Sequence, residues 1–484
     1  MSSNEKTLFG HPMGLYVLFF TEMWERFSYY GMRAILFLYL TKSASEGALG
    51  LPEDTAGAVY GLYAASVYLL TLPGGWIADN ILGQKKAIWL GGICIMIGHG
   101  VLALPATPSI FFLGLAFVAV GTGLLKANIS SIVGELYPEG GAKRDAAFSI
   151  FYLGINLGSF LGMFIVGYLG EKVGWHYGFG AAAFAMFFGL INFKVNGKYL
   201  KNVGEKPNKK ASYTYLYVVI ALLAIAVLSV TTGMLDSIQL ANSMKYIISG
   251  ITVGYFIYIG FLDKSLTIIE RRRVGVLFIL FVAIAIFWSG FEQAATTFTI
   301  FADRHTDRDL FGWDLPASWF QNANSFFILV FSAPFAALWI WLNKRNLNPN
   351  VPVKFGLGLI QLGLGFLVMY FAAQRILDGT LAGMGWLTFT YLLHSLGELC
   401  ISPVGLSSYT KLAPKKYYSQ MMGLWFVGAS LGNLIAGLFA GNFDEGNVDA
   451  MPGLFMQFCM YGAVAGLLMI LFQKQIKNWM GGIE

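Results

Sequence analysis

Four ionisable residues stand inside one apolar run long enough to cross a bilayer, in Glu22-Met-Trp-Glu25-Arg26-Phe-Ser-Tyr29-Tyr30-Gly31-Met-Arg33. At about 100° per residue, Glu22, Glu25, Arg26, Tyr29, Tyr30 and Arg33 share one side of a helix, while Met23, Trp24, Phe27 and Met32 look mostly elsewhere. A lone charge at the membrane centre costs roughly 3 kcal/mol on insertion scales, so clustered charges face a bundle interior or a wet cavity and pair there. The chemistry this suggests is a pathway for protons or a solute.

Few other charges lie well inside apolar runs: Lys126 in Gly121-Thr-Gly-Leu-Leu-Lys126-Ala-Asn128, Glu292 in Phe287-Trp288-Ser-Gly-Phe-Glu292-Gln293, and Glu398 in Gly397-Glu398-Leu-Cys-Ile-Ser-Pro403. Arg26, Arg33 and Lys126 are positive; Glu22, Glu25, Glu292 and Glu398 are negative unless a desolvated acid holds a proton. All the bases lie in the front half, and the back half contributes only acids. A cavity lined by both would be dipolar and would suit a zwitterion with a free carboxylate and a free amine. Tyr68, Asn156, Gln321, Asn324, Trp425 and Ser430 add polarity, although each taken singly reads more readily as a satisfied interhelical hydrogen bond. Pro403, five positions after Glu398, frees the carbonyl of Leu399 and lets that helix kink beside the acid. His99 and His394 stand alone in apolar surroundings, where packing or local hydrogen bonding is favoured over proton relay.

The elements that position these residues follow from composition. Of 484 residues, 56% are hydrophobic and 12% charged, and the mean hydropathy is +0.63. That excludes a water-soluble globular protein. Glycine at 58 residues fits close helix packing, and 41 Phe, 24 Tyr and 12 Trp fit lipid contact and interfacial belts. Apolar runs recur at spanning length and short alternating strands do not, so the expected class is an all-α polytopic membrane protein. Runs of roughly 20 residues give about 14 spans. They fall near 13–42, 55–79, 86–104, 109–134, 144–170, 175–196, 212–233, 244–262, 271–300, 314–343, 353–373, 382–413, 416–440 and 453–477.

The net charge of +6 reports orientation rather than a nucleic-acid partner. With both termini cytoplasmic, the inner loops collect Lys85, Lys86, Lys143, Arg144, the run 194–210, Lys264, Arg271 to Arg273, Lys344, Arg345, Lys354, Lys411, Lys415, Lys416, Lys474 and Lys477. The outer loops hold few basic residues and include the acidic stretches Asp303 to Asp314 and Asp444 to Asp449. Cys94, Cys400 and Cys459 sit in apolar runs without metal-ligand spacing and read as packing residues; no metal or cofactor is expected. No removable leader is read at the N-terminus.

A polar segment, 196–210, follows six spans and reads as a cytoplasmic linker. The next two spans lack charged centres and a polar stripe, and are expected to face lipid. The resulting division is a cytoplasmic N-terminus 1–12, a six-helix bundle 13–196, a linker with two inserted helices 197–270, a second six-helix bundle 271–477 and a cytoplasmic tail 478–484. Such a plan fits two bundles that rock about a substrate site. Gly74-Gly75-Trp-Ile-Ala-Asp79-Asn-Ile-Leu-Gly83-Gln-Lys85-Lys86 resembles the loop signature of the major facilitator superfamily, with one additional residue before the second of its glycine positions. Asp79 is placed to cap or pair at a helix end there.

Glu22-x-x-Glu25-Arg26-Phe-x-Tyr29-Tyr30-Gly31 resembles the ExxERFxYYG signature of the proton-dependent oligopeptide transporter family, a branch of that superfamily. The likeness extends to Phe287-Trp288 with Glu292-Gln293, Gln321-x-x-Asn324, Gly397 to Pro403, and Trp425 with Ser430. It implies a monomeric symporter of the bacterial inner membrane that takes up di- and tripeptides by alternating access, driven by the proton gradient. By the same resemblance, Glu22, Glu25 and Arg26 couple protons. Arg33 and Lys126 hold the peptide carboxylate, and Asn156, Asn324 and Glu398 the amine. Tyr29, Tyr30, Tyr68, Glu292, Trp425 and Ser430 line the pocket, and Arg33 to Glu292 and Lys126 to Glu398 are bridges between bundles. Animal members carry a proton-handling histidine on the second helix, yet no histidine occurs here between His11 and His99, so the acids must serve.

Three rivals remain on the residues alone, one of them a non-transporting receptor or scaffold, for which no large soluble domain is read. A carrier of a bare anion has no evident use for acids facing an amine. An intramembrane enzyme built on Glu292, His394 or Glu398 lacks any HExxH, GxSxG or paired-Asp arrangement.

Overall fold

The computed structural model describes residues 7–104, 107–139, 141–205, positions scattered between 213 and 234, 236–443 and 448–483. The long helices are α1 Met13–Thr41, α2 Glu53–Leu82, α3 Gln84–Leu102, α4 Pro108–Glu135, α5 Gly141–Tyr168, α6 Trp175–Asn196 and α7 Ser237–Ile257. After them come α8 Ile268–His305, α9 Ala317–Lys344, α10 Val351–Leu377, α11 Gly385–Leu412, α12 Tyr418–Ala440 and α13 Met451–Leu471. A short helix, α14, occupies Gln473–Met480. Strands are confined, among the described residues, to three two-stranded pairings of two residues each, in loops and at helix ends. The expected span 212–233, the linker's end 206–210 and the stretch 444–447 lie wholly or partly outside the described residues.

Among the described residues, eleven helices are long and apolar enough to cross a membrane by length and composition. Helices α1 and α11, of 29 and 28 residues, are also long enough, since 1.5 Å per residue gives about 42 Å against a hydrocarbon core of about 30 Å. Both carry the charges singled out above. The chain is therefore an all-α multi-pass membrane protein.

The last span ends earlier than its hydropathy suggested. Expected to run to 477, it stops at Leu471, and α14 begins two residues later with Ile476 and Met480 buried at i and i+4 and its polar side exposed. The polar run Gln473-Lys-Gln cannot continue in lipid, so the chain turns and lays an amphipathic helix against α8 instead. There Arg273 donates from Nε to the Met480 carbonyl at 3.1 Å and from Nη2 to the Gly481 carbonyl at 3.3 Å.

Two compact units divide the chain: Met1–Leu51 with Ser66–Ser237, and Pro52–Ala65 with Ile238–Glu484. In the first, lipid tails are as apolar as leucine, so close packing rather than water exclusion must hold the helices. Small residues supply it. A Cβ on Gly162 of α5 would lie 2.8 Å from the Phe27 Cα, so α1 and α5 touch backbone to backbone. One on Gly121 of α4 would lie 2.8 Å from the Ile95 nitrogen of α3. Around these contacts Leu15, Leu18, Ile95, Leu125, Ile129 and Leu190 form a fully or nearly fully buried core.

Helix α1 has no lipid face. Phe20 is its one exposed side chain, and Met23, Phe27 and Met32, opposite the polar stripe, are also buried. Asp79 is exposed and makes no hydrogen bond among the described residues, so it does not cap the helix end; the turn is made by Gly83, whose φ of 80° suits glycine.

In the second unit the start of α2 packs on α12, where a Cβ on Gly61 would sit 3.0 Å from the Leu434 carbonyl oxygen. Arg304 at the end of α8 pairs with Glu53 at 2.5 Å. A cluster of rings, Phe298, Phe366, Tyr391, Phe455 and Phe458 with His394, fills the space among α8, α10, α11 and α13. Among the described residues His394 bonds only through Nε2, 3.2 Å from the Leu362 carbonyl, as a packed core histidine would.

Candidate functional site

In the first unit, the i, i+4 spacing places Arg26 Nε 3.2 Å from Glu22, and Arg26 also pairs with the adjacent Glu25. All three are 2% exposed or less. One guanidinium thus serves two carboxylates, and the cluster carries one excess negative charge when both acids are ionised. Glu22 Oε2, Glu25 Oε1 and Arg26 Nη2 are buried with no hydrogen-bond partner among the described residues. Unmet buried polar atoms are costly, so their survival marks a place where a proton, a water or a ligand group belongs.

The same helix continues the stripe with aromatic faces. The Arg26 guanidinium lies 5.1 Å from the Tyr29 ring centre and 5.7 Å from that of Tyr30, and Arg33 lies 5.8 Å from Tyr30 on the other side. Arg33 and Tyr29 are buried, and Tyr30 is half-buried. Aromatic faces hold guanidinium groups in place by attraction of the cation to the ring.

Lys126 reaches this neighbourhood through glycine. A Cβ on Gly123 would be 2.7 Å from the Leu70 carbonyl oxygen, so α4 approaches α2 closely enough for the Lys126 ammonium to sit 4.2 Å from the Tyr68 ring centre. No carboxylate lies within ion-pair distance of it among the described residues, although Glu22, Glu25 and Arg33 are near enough to act on it electrostatically. Asn156 of α5 is buried and donates to the Tyr152 carbonyl of its own helix at 2.9 Å, which leaves its oxygen as the acceptor it can offer.

In the second unit, Asn324 of α9 donates to Glu398 Oε2 at 3.2 Å and to the Ser395 hydroxyl at 3.0 Å, and Ser395 passes its own proton to the Tyr391 carbonyl at 2.7 Å. Ser395 was not expected as part of the group. Its position one turn before Glu398 on the same helix face was the available signal. Pro403 sits inside α11, which runs unbroken past it to Leu412.

Glu292 is 1% exposed and stands where α8 changes form. The α-helix stops at Phe291, Glu292–Ala295 make a 3-10 turn, and Thr296 has φ −123° and ψ −93° before helix resumes. The hydropathy of 271–300 shows one continuous span and hides this break. Gln293 fixes it in place. Its Nε2 donates to Ser289 and to Ala436 of α12, each at 3.1 Å, and its Oε1 accepts from Thr297 at 2.5 Å. Interrupted helices of this kind free backbone groups and charged ends at ligand sites in membrane carriers.

Trp425 of α12 is buried edge-on against Tyr409, 5.5 Å between ring centres, in the space left by Gly405. The Ser430 hydroxyl donates to the Ala65 carbonyl at 3.0 Å and is inaccessible. Gln321 donates to Thr299 at 2.8 Å.

Buried charge clusters on spanning helices, one interrupted helix and two compact units define a multi-pass carrier of the major facilitator fold. The chain belongs to the POT family, whose family model matches residues 85–457. The α1 cluster precedes that segment, within the 99% or more of this chain that the relatives below cover. The peptide transporter YePEPT of Yersinia enterocolitica is 39% identical, over 99% of this chain and 97% of the relative. The di-/tripeptide transporter of Lactococcus lactis subsp. cremoris is 36% identical, over 100% and 99%. A crystal structure of a mutant of peptide transporter POT in complex with alafosfalin superposes with a TM-score of 0.91 at 39% identity, covering 99% of this chain and 98% of that one.

Proposed function

We propose that this protein is a proton-coupled symporter of the bacterial inner membrane that takes up di- and tripeptides by alternating access. The observation that carries the reading is the Glu22/Glu25/Arg26 group: two buried acids on one base, each with an oxygen left unmet. A proton on either acid makes the cluster neutral and releases part of Arg26's charge. Binding and protonation are then linked through the same guanidinium, so each ligand shifts the population the other selects. The names of the relatives support peptides as cargo.

In this reading Arg33 and Lys126 engage the peptide carboxylate, and Asn156, Asn324 and Glu398 the amine. Tyr29, Tyr30, Tyr68, Glu292, Trp425 and Ser430 shape the pocket. The bundles are 13–196 and 271–477, with 197–270 carrying the inserted helices. The monomer is the working unit, and the proton gradient replaces any cofactor.

Glu22→Gln and Glu25→Gln, each reconstituted in liposomes, test the coupling. Counterflow exchange of labelled dipeptide is expected to persist while accumulation under an imposed pH gradient falls to the level seen without one. Uphill uptake that survives while exchange disappears would refute the assignment.

A further inference from the structure

We propose that the cleft between α7 and α8 is a binding site for one anionic phospholipid, drawn from the leaflet that the basic loops face. The two helices meet at the π-helical turn that follows α7, Tyr258–Leu262, and through Phe256, whose ring packs 5.2 Å from Phe278 and 5.9 Å from Phe281. Elsewhere they part and leave an apolar cleft of about 770 Å³. A second cleft of about 810 Å³ shares Val253 and Phe278 with it and continues towards α13. Phe261 at 76% exposed and Ile268 at 70% form its rim, so the opening faces outward from the unit.

The chemistry of the two ends differs. At the loop end the cleft is lined by Arg271, Arg272 and Trp479. Arg271 spends one Nη2 proton on the Asp263 carbonyl at 3.0 Å, and its Nε is buried with no acceptor among the described residues. Arg272 is exposed. A guanidinium presents five N–H groups in a fork that fits phosphate, so this end is built for a phosphodiester. Trp479 is held there because Arg273 ties the end of α14 down, and an indole at that level matches the membrane interface.

Length decides the occupant. From Arg271 to Phe281 the helix rises roughly 15 Å, half of the hydrocarbon thickness of about 30 Å. One leaflet's acyl chain therefore lies along the cleft when its phosphate meets the arginines. Basic pockets beside spanning helices draw lipid headgroups from the negatively charged cytoplasmic leaflet, the leaflet that the loop charges of this chain assign to Arg271 and Arg272.

Native mass spectrometry of the full-length protein, released from micelles holding equal palmitoyl-oleoyl phosphatidylglycerol and phosphatidylcholine, tests this. The wild type is expected to keep one phosphatidylglycerol in preference to phosphatidylcholine. The Arg271→Ala/Arg272→Ala double variant is expected to lose that preference by roughly 30-fold, taking about 1 kcal/mol per arginine and 1.4 kcal/mol per tenfold. Gly260→Trp fills the cleft, keeps both arginines and is also expected to shed the lipid. Equal retention of the two lipids by the wild type, undiminished phosphatidylglycerol in either variant, or displacement by chain-free glycerophosphoglycerol would each overturn the proposal.

Discussion

At the scale of single residues, the decisive contrast is between bases that are neutralised and bases that are not. Arg26 is shared by two acids, whereas Lys126 rests on the Tyr68 ring with no carboxylate at ion-pair distance among the described residues. A charge-assisted hydrogen bond contributes about 1.5–3 kcal/mol, which corresponds to roughly 10- to 150-fold in affinity. Lys126→Gln is therefore expected to erase, by about that factor, the preference for a dipeptide with a free carboxylate over its C-terminal amide. Competition of the two against labelled dipeptide in counterflow gives the measurement. A preference that persists in the variant removes Lys126 from the carboxylate site.

At the scale of elements, a latch joins the turn between α7 and α8 to the turn before α12. Asp263 accepts from Lys416 Nζ at 2.7 Å, from Tyr417 Oη at 2.6 Å and from the Ser265 backbone nitrogen at 2.9 Å. The Lys416 bond, then that of Tyr417, hold its carboxyl well below the usual carboxylate range. A depressed acid contributes stability that is present above the unfolded value of about 3.9 and lost only as pH falls through the folded one. The latch is thus closed at any pH above the ordinary carboxylate value. Asp263→Asn is expected to lower uptake and thermal stability by the same factor at every value from about pH 5 to pH 8, parallel to wild type. A variant whose pH optimum moves would show that the latch takes part in the pH response.

The latch also shows what a sequence carries and what it hides. Glu22 with Arg26, and Ser395 with Glu398, are legible because helical repetition brings near neighbours in the chain onto one face. The positions of the spans among the described residues were legible for the same local reason, apart from the end of α13 and the break that begins at Glu292. Asp263 and Lys416 lie far apart in the chain, as do Lys126 and Tyr68, and their meeting depends on which helix faces approach. Glycine sets that approach at Gly123 and Gly61, but a glycine in the sequence does not name its partner. Gln293 illustrates the limit: its residue type was visible, while its role of bracing an interrupted helix against Ala436 was not.

At the scale of the molecule, the distribution of charge among loops predicts a topology that can be tested chemically. Asp309 lies in the acidic loop between α8 and α9, and Lys264 lies in the basic turn between α7 and α8. Of the native cysteines, Cys400 and Cys459 are buried and Cys94 is half-buried. In intact cells a membrane-impermeant maleimide is expected to label Asp309→Cys and to spare Lys264→Cys until the membrane is broken. The reverse pattern would invert the orientation, and with it the leaflet assigned to Arg271 and Arg272.

The docking of α14 has a practical corollary for handling the protein. Both acceptors of the Arg273 side chain are main-chain oxygens, at Met480 and Gly481, so no change of side chain in that stretch can abolish them. Trimming the chain back to Trp479 would abolish both at once, stranding a guanidinium on α8 and loosening the indole beside it. A purification tag is therefore better appended beyond Gly481 than substituted for the final helix.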